Sequence, residues 1–153
     1  MWVPPEESDP VLLHAPTRKS AGVFGAVCIK EGRLVTRRAD KFNAATFQAF
    51  LEQLLYQHRR GSLMVLVLDN GRYHHAADLK PFLARNQDRM VLDFLPPYSP
   101  ELNPIERVWK LTRRLCTHNR HFPVLEELVS VVFNQFHQWL RPNEQLRRLC
   151  AII

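Results

Sequence analysis

The sequence lacks several features that would place it in a specialised class of protein. No apolar run approaches the roughly 18 residues that a membrane-spanning helix needs. No N-terminal segment combines basic residues, an apolar stretch and a small-residue cleavage site, so no secretory signal is predicted. The cysteines Cys28, Cys116 and Cys150 are widely spaced and form no paired zinc-binding motif. These absences favour a soluble cytoplasmic protein whose thiols are free and mostly buried.

Positive charge is what the chain has in excess. Its 153 residues include 21 Lys and Arg against 15 Asp and Glu, which gives a formal net charge of +6. A basic protein neutralises phosphates and releases their counterions, so nucleic acid is a natural partner. The charge alone is also compatible with a basic protein that binds no polyanion. The length suits one domain with one substantial core.

The first half of the chain predicts a hairpin, a helix and a buried strand. Four prolines make residues 1–20 irregular, because proline lacks an amide donor and interrupts helices. Strand-like residues over 21–29 and 33–39 predict an antiparallel hairpin. The spacing of apolar residues predicts a helix with an asparagine N-cap over 43–59. The apolar run 63–68 has no polar alternation, which indicates a central strand buried on both faces.

The second half predicts alternating helices and strands. A helix within 75–87 starts late or breaks at Pro81, and residues 90–95 are strand-like. The run 103–106 offers an asparagine N-cap, a proline at the first helical position and a glutamate at the third. A last helix is predicted to begin near Pro123. This order indicates an α/β fold with a parallel component joined by crossover connections.

An acidic residue, Asp69, ends the predicted buried strand. Ligands of open α/β sheets bind outside the carboxyl ends of the strands, so this carboxylate would face solvent on a stiff backbone. Asn70 and Gly71 allow the sharp turn that would expose it, although such residues are also common in ordinary turns. His74 and His75 follow closely and could orient a phosphate or a water. As neighbours without a suitably spaced cysteine, they are poor zinc ligands.

A second acid, Glu106, lies in the first turn of the helix that begins near residue 104. A glutamate there can bond back to the N-cap amide and pair with Lys110 one turn later, and both roles are structural. In the functional interpretation, the positive helix end favours its ionised form. Carboxylates such as Asp69 and Glu106 are ligands that magnesium prefers. Two such ions can activate the attacking oxygen and stabilise the leaving oxygen in phosphodiester displacement.

Cations cluster on the helix behind Glu106. Arg107, Lys110 and Arg114 share one face and Arg113 lies nearby, which suits a surface that follows DNA phosphates. The structural alternative is a solvated helix face.

Three aromatic residues have simpler interpretations. Trp109 and Trp139 lie on apolar stripes and are predicted to be core residues. Tyr98, in a proline-rich loop, could stack on a base, but packing within the loop is the expectation.

Two stretches of the sequence form a long and distinctive pattern. The first is LDN over 68–70, followed by His74. The second is LPPYSPELNPIE over 95–106, followed by Trp109 and Lys110. Together they resemble the DDE transposases of bacterial insertion sequences related to the mariner group.

This resemblance implies a ribonuclease H-like fold over residues 21–153, with a mixed sheet flanked by helices. Members of the family hold two Mg²⁺ (or Mn²⁺) ions with three acids, cleave DNA at the ends of the element and join the freed 3′-hydroxyl to target DNA. By position, Asp69 and Glu106 resemble the second and third acids, and Asn70 and His74 the accompanying polar residues. The resemblance also implies self-association on DNA, no contact with membranes and a bacterial, nucleoid-associated location.

The chain departs from the family pattern at its N-terminus. The family's first acid lies on a strand before the hairpin, whereas Glu6, Glu7 and Asp9 are flanked by prolines outside any apolar strand. We therefore expect the chain to begin after the first acid, without the central strand between the hairpin and strand 63–68. The predicted function is metal-dependent DNA cleavage and strand transfer. The alternative is a catalytically inactive DNA-binding or regulatory fragment that pairs with full-length transposase.

Overall fold

The N-terminal strands form an antiparallel sheet in the computed structural model, which describes residues 11–14 and 19–151. Strand β2 (Lys19–Cys28) pairs with β1 (Val11–His14) on one edge and with β3 (Arg33–Ala39) on the other. The predicted hairpin is therefore confirmed.

The irregular structure predicted for residues 1–20 is wrong where the structure describes them. Strand β1 and the first residues of β2 lie within that range. A hydrogen-bonded ladder to β2 stabilises β1 despite the prolines on either side, because they fall outside the four paired residues. The carboxylates considered at Glu6, Glu7 and Asp9 lie outside the described residues.

A second, separate sheet consists of two parallel strands. Strand β4 (Met64–Leu68) pairs with β5 (Met90–Phe94), which confirms the predicted parallel component. Within the described ranges, no ladder joins β2 to β4. The chain therefore places its hairpin and its parallel pair in different sheets.

Strand β4 is not buried on both faces, contrary to the prediction. Leu66 and Leu68 are buried, but Val65 is 55% and Val67 is 38% exposed. Successive side chains of a strand point to opposite faces, so one whole face of β4 is open to solvent. Nothing in the described part of the chain covers that face. The apolar residues 63–68 therefore reflect the β propensity of the strand and not burial on both sides.

Five α-helices lie within the described residues: α1 (Ala44–Gln57), α2 (Lys80–Arg85), α3 (Pro104–Thr112), α4 (Leu125–Gln138) and α5 (Glu144–Leu149). The N-caps Asn43 and Asn103 are confirmed, and each side chain accepts a hydrogen bond from a backbone amide of the first turn. Pro81 lies in the first turn of α2, so the late start is also confirmed. Helix α5 was not predicted. No described helix is long and apolar enough to cross a membrane.

The core consists of two clusters on opposite faces of the hairpin. Phe24 belongs to the cluster under α1, where its ring stacks 5.4 Å from that of Phe50. Its neighbour Val23 points to the other face and joins the cluster formed by α3, α4 and α5. Helix α3 lies close to β2, because a Cβ at Gly25 would be 2.5 Å from Cη2 of Trp109. Trp109 and Trp139 are buried, as predicted.

Candidate functional site

The turn after β4 fixes the carboxylate of Asp69 from two sides. The Gly71 amide donates a hydrogen bond to Asp69 Oδ1 at 3.1 Å. Nδ1 of His74 lies 3.1 Å from the same oxygen and 2.9 Å from the Asp69 carbonyl oxygen. Both of these partners are acceptors, so Nδ1 must bear a proton and donate to them. One carboxylate oxygen of Asp69 is therefore held by two donors.

The imidazole of His74 is itself fixed by the core. The residue is buried, and its ring centroid lies 4.7 Å from that of Phe47 and 4.4 Å from that of Tyr73. Its Nε2 is buried and has no hydrogen-bond partner within residues 11–14 and 19–151. The ring therefore cannot rotate to exchange its two nitrogens without breaking the contacts to Asp69.

The second carboxylate oxygen of Asp69 has a different environment. Oδ2 is buried and accepts no hydrogen bond from any described residue, while the side chain as a whole is 24% exposed. A buried anionic oxygen without a partner is costly, and a divalent cation is a group that would compensate it. Carboxylate oxygen is also the ligand that Mg²⁺ and Mn²⁺ prefer. The environment of Asp69 therefore fits a metal ligand.

Asn70 connects this turn to the end of β5. Its side-chain amide donates to the Leu95 carbonyl at 2.7 Å, and its Oδ1 lies 3.1 Å from Nε2 of His75. The His75 ring stacks on Phe94 with centroids 4.0 Å apart. Leu95 in turn donates its amide to the Leu68 carbonyl at 2.8 Å. Asn70 thus holds the Asp69 turn against the start of the loop that leads to α3.

Glu106 lies in the first turn of α3, where it is half-buried. The buried Asn103 caps this helix by accepting from the Ile105 amide at 3.4 Å. The positive end of the helix favours an anionic side chain at Glu106. The structure brings Asp69, Asn70 and His74 together, and a site shared by Asp69 and Glu106 stays a prediction. Over residues 11–14 and 19–151, no group of three or more potential metal-binding side chains is present.

The four cations predicted to bind DNA line one groove of about 790 Å³ on the surface of α3 and the π-helical turn that follows it. These residues are Arg107, Lys110, Arg113 and Arg114.

Arg107 has a structural role that the sequence did not indicate. Its guanidinium donates to the carbonyl oxygens of Leu149 and Ala151, at 3.2 and 3.3 Å. It therefore binds the C-terminal end of α5, whose carbonyls favour a cation. The helix that it binds was itself missed, because α5 is short.

The structure contradicts the expected packing of Tyr98. The side chain is 93% exposed, and the backbone has a positive φ of 56°. The sequence contains an indication of this exposure, because Tyr98 lies between Pro97 and Pro100 in a segment without apolar periodicity.

Two cysteines are buried free thiols, as predicted, whereas Cys28 is exposed. Burial raises the pKa of Cys150 from its ordinary value of 9.0 to about 11, against the opposing charge of Arg107. Burial also raises the pKa of Cys116, and the charge of Arg120 opposes that shift. Both buried thiols are therefore protonated and unreactive near neutral pH.

The described residues form an α/β domain with a carboxylate at the end of a parallel strand, and sequence comparison identifies the family. The chain belongs to the DDE superfamily of endonucleases, whose sequence model matches residues 1–129.

Two relatives differ in how much of their length the chain spans. It is 34% identical over 110 residues to the uncharacterized protein y4pE/y4sA of Sinorhizobium fredii, covering 72% of this chain and 78% of the relative. It is 26% identical over 108 residues to an uncharacterized 39 kDa protein of insertion element IS630 from Shigella sonnei, covering 71% of this chain. Only 31% of that second relative is covered.

The fold is similar to that of the Mos1 mariner transposase catalytic domain. One crystal structure of that domain superimposes with a TM-score of 0.68 at 16% identity, covering 93% of this chain and 72% of that one. A structure of the same domain with raltegravir and Mg gives a TM-score of 0.63 at 16% identity, covering 93% and 77%. The protein therefore has a mixed α/β fold of the ribonuclease H-like type.

Proposed function

We propose that this chain is the catalytic domain of a transposase that cleaves DNA at the ends of an insertion sequence and transfers the strands to target DNA. The observation that supports this most strongly is the state of the Asp69 carboxylate. Its Oδ1 is held by Gly71 and His74, while its buried Oδ2 has no partner among the residues that the structure describes. The Gly71 bond alone is that of an ordinary Asx turn, but a turn requires neither the His74 contact to Oδ1 nor the burial of Oδ2.

In this proposal Asp69 and Glu106 would hold Mg²⁺ or Mn²⁺. When bound, such ions activate the attacking oxygen and stabilise the leaving oxygen of the phosphodiester. The residues of the chain itself provide orientation. His74 and Gly71 restrict the Asp69 side chain. The positive N-terminal end of α3 favours a negative charge at Glu106. Rate enhancement would come from positioning rather than from a covalent protein intermediate.

The groove along α3 is the proposed contact for DNA phosphates. Lys110, Arg113 and Arg114 line it in the helix and turn that follow Glu106, so the cations continue from the proposed site. Phosphate contacts of this kind position a duplex without reading its sequence. Arg107 belongs to the lining but is already bonded to the end of α5, so we assign it a supporting role. Self-association on DNA is part of the same proposal.

A metal-dependent nicking assay with Asp69→Asn tests the catalytic proposal. The amide keeps the shape of the carboxylate but removes its charge, so we expect strand cleavage to be lost while DNA binding survives. Asp93→Asn is the matched control, because Asp93 is an exposed acid on β5. Unchanged cleavage by the Asp69 variant would remove the assignment.

A second candidate is a DNA-binding or regulatory fragment that pairs with full-length transposase and has no turnover. Two observations favour it: the described residues contain no cluster of three metal ligands, and no ladder joins β2 to β4. This function predicts DNA binding that weakens steeply with salt and no nicking with or without metal. Nicking by the purified chain that Asp69→Asn abolishes would exclude it.

A further inference from the structure

The loop after β5 presents an aromatic ring that is almost fully exposed in the part of the chain that the structure describes. Tyr98 is 93% exposed, and Leu102 on the same loop is also exposed. Apolar side chains of this size normally bury most of their surface, so two of them on one short loop form an unusual surface. Packing of the described residues therefore does not account for Tyr98.

The backbone at Tyr98 is also unfavourable for a tyrosine. Its φ of 56° lies in the left-handed region, where a Cβ is strained and glycine or asparagine is preferred. Strained positions of this kind persist when their surroundings impose them, and they concentrate at functional sites.

The rest of the loop is stiff enough to impose this conformation. Pro97 and Pro100 have fixed φ angles on either side of Tyr98. The Ser99 hydroxyl donates to the Pro97 carbonyl at 3.3 Å, and the Leu102 amide donates to the Ser99 carbonyl at 3.1 Å. The ring is thus presented to solvent by an ordered backbone.

The loop begins beside the Asp69 turn. The carbonyl of Leu95 accepts from Asn70, and its amide donates to Leu68 at the end of β4. Tyr98 is three residues further on, so its Cα lies within about 11 Å of that of Leu95. The chain length therefore allows the ring to reach a DNA strand that the proposed function places at the Asp69 turn.

The chemistry of the loop selects a base rather than a phosphate as the ligand. Residues 95–103 contain no Lys or Arg, and their one charged residue is Glu101, which is exposed. An acid repels phosphate, whereas the face of an aromatic ring stacks on any unpaired base. The phosphate-binding cations lie instead in the groove of the next helix.

We propose that Tyr98 is a stacking platform for an unpaired nucleobase of the DNA strand held at the Asp69 turn. This inference rests on the proposed function, because it takes the bound polymer to be DNA. Base stacking on an aromatic side chain is worth roughly tenfold to hundredfold in affinity per base. Tyr98 would hold a base out of the duplex while the cations of α3 bind the backbone.

The test compares the binding of two DNA duplexes to the full chain at low salt. One duplex is fully paired, and the other has a single unpaired 2-aminopurine whose fluorescence reports stacking. For the unpaired site, we expect Tyr98→Ala to lose about tenfold in affinity and most of the fluorescence change. Tyr98→Phe should behave as wild type, because stacking needs the ring and not the hydroxyl. Binding of the paired duplex should be the same for all three proteins.

Tyr56→Ala is the matched control. Tyr56 is 92% exposed on α1, so this variant removes an equally exposed ring from a different surface. It should bind both duplexes as wild type does. Tyr98→Gly relieves the positive φ, so it should unfold at the same or a higher temperature and still lose the unpaired site.

The other outcomes separate this inference from the proposed function. Wild-type affinity of Tyr98→Ala for the unpaired site would overturn it and leave the proposed function intact. An equal loss of affinity for both duplexes in Tyr98→Ala would assign the ring to a contact with the DNA backbone. A loss of self-association in that variant without a change in base stacking would assign the ring to a protein contact. Failure of the wild-type chain to bind either duplex would overturn both proposals. Tyr98-dependent binding by a chain that never nicks DNA would sustain this inference and refute the catalytic proposal.

Discussion

Replacing His74 with leucine removes the side-chain donor that orients Asp69 but keeps an apolar group of similar size. The leucine can still fill the space beside Phe47 and Tyr73, which contact the imidazole in the wild type. The variant also removes the buried Nε2, which has no partner. It therefore separates the orienting role of His74 from its packing role.

The expected loss of activity follows from the hydrogen bonds that disappear. The single Nδ1 proton is shared between the Asp69 carbonyl, at 2.9 Å, and Oδ1, at 3.1 Å. A hydrogen bond to a charged group contributes about 1.5–3 kcal/mol, which corresponds to roughly tenfold to hundredfold in a rate. Gly71 still holds Oδ1 in the variant, so we expect the lower limit, about a tenfold slower cleavage.

His74→Asn provides the comparison, because its amide nitrogen can take the place of Nδ1. The asparagine is smaller than the imidazole and leaves unfilled space in the core, at a cost of about 2 kcal/mol in unfolding free energy. His74→Leu loses a hydrogen bond to the half-buried Asp69 carbonyl but fills the space, so its cost should be about 1 kcal/mol. We therefore expect His74→Asn to be the less stable but the more active of the two variants.

The assay combines urea unfolding, metal-dependent nicking under conditions where both variants are folded, and calorimetric titration with Mn²⁺. We expect His74→Asn to cleave faster and to bind Mn²⁺ more tightly than His74→Leu, despite its lower stability. A wild-type nicking rate in His74→Leu would refute the orienting role. The orienting role would also be refuted if the more stable variant had the faster nicking rate and the higher Mn²⁺ affinity.

Three further outcomes test the fold and the groove. Gly25→Ala should lower the unfolding free energy by about 1–3 kcal/mol in urea titrations, because the new Cβ would lie 2.5 Å from a ring carbon of the buried Trp109. Stability should fall as the pH rises from about 9 to 11, since the unfolded chain loses the thiol proton of Cys150 first; a Cys150→Ala variant should show a shallower decline. Lys110→Gln and Arg114→Gln should each weaken DNA binding equally for all sequences and reduce the slope of log K against log salt by about 1. An unchanged slope would remove that side chain from the phosphate contacts.

Features that depend on neighbouring residues were predictable from the sequence. The start of α3 is an example, because an asparagine cap and a first-position proline act on the amides of the same turn. The turn at Asp69 is another, since Asn70 and Gly71 favour a sharp change of direction after a strand. Local hydrogen bonds and steric restrictions decide such features, and both can be read from a few consecutive residues.

Other features depended on which elements meet in space. Val65 looks as apolar as a core residue but is exposed, because no described segment covers its face of β4. Arg107 shares a helix face with Lys110 but is diverted by the carbonyls of α5, more than 40 residues away. The donor role of His74 required Phe47 to fix its ring. Burial and long-range partners arise only when distant parts of the chain pack together, so tertiary structure alone decided them.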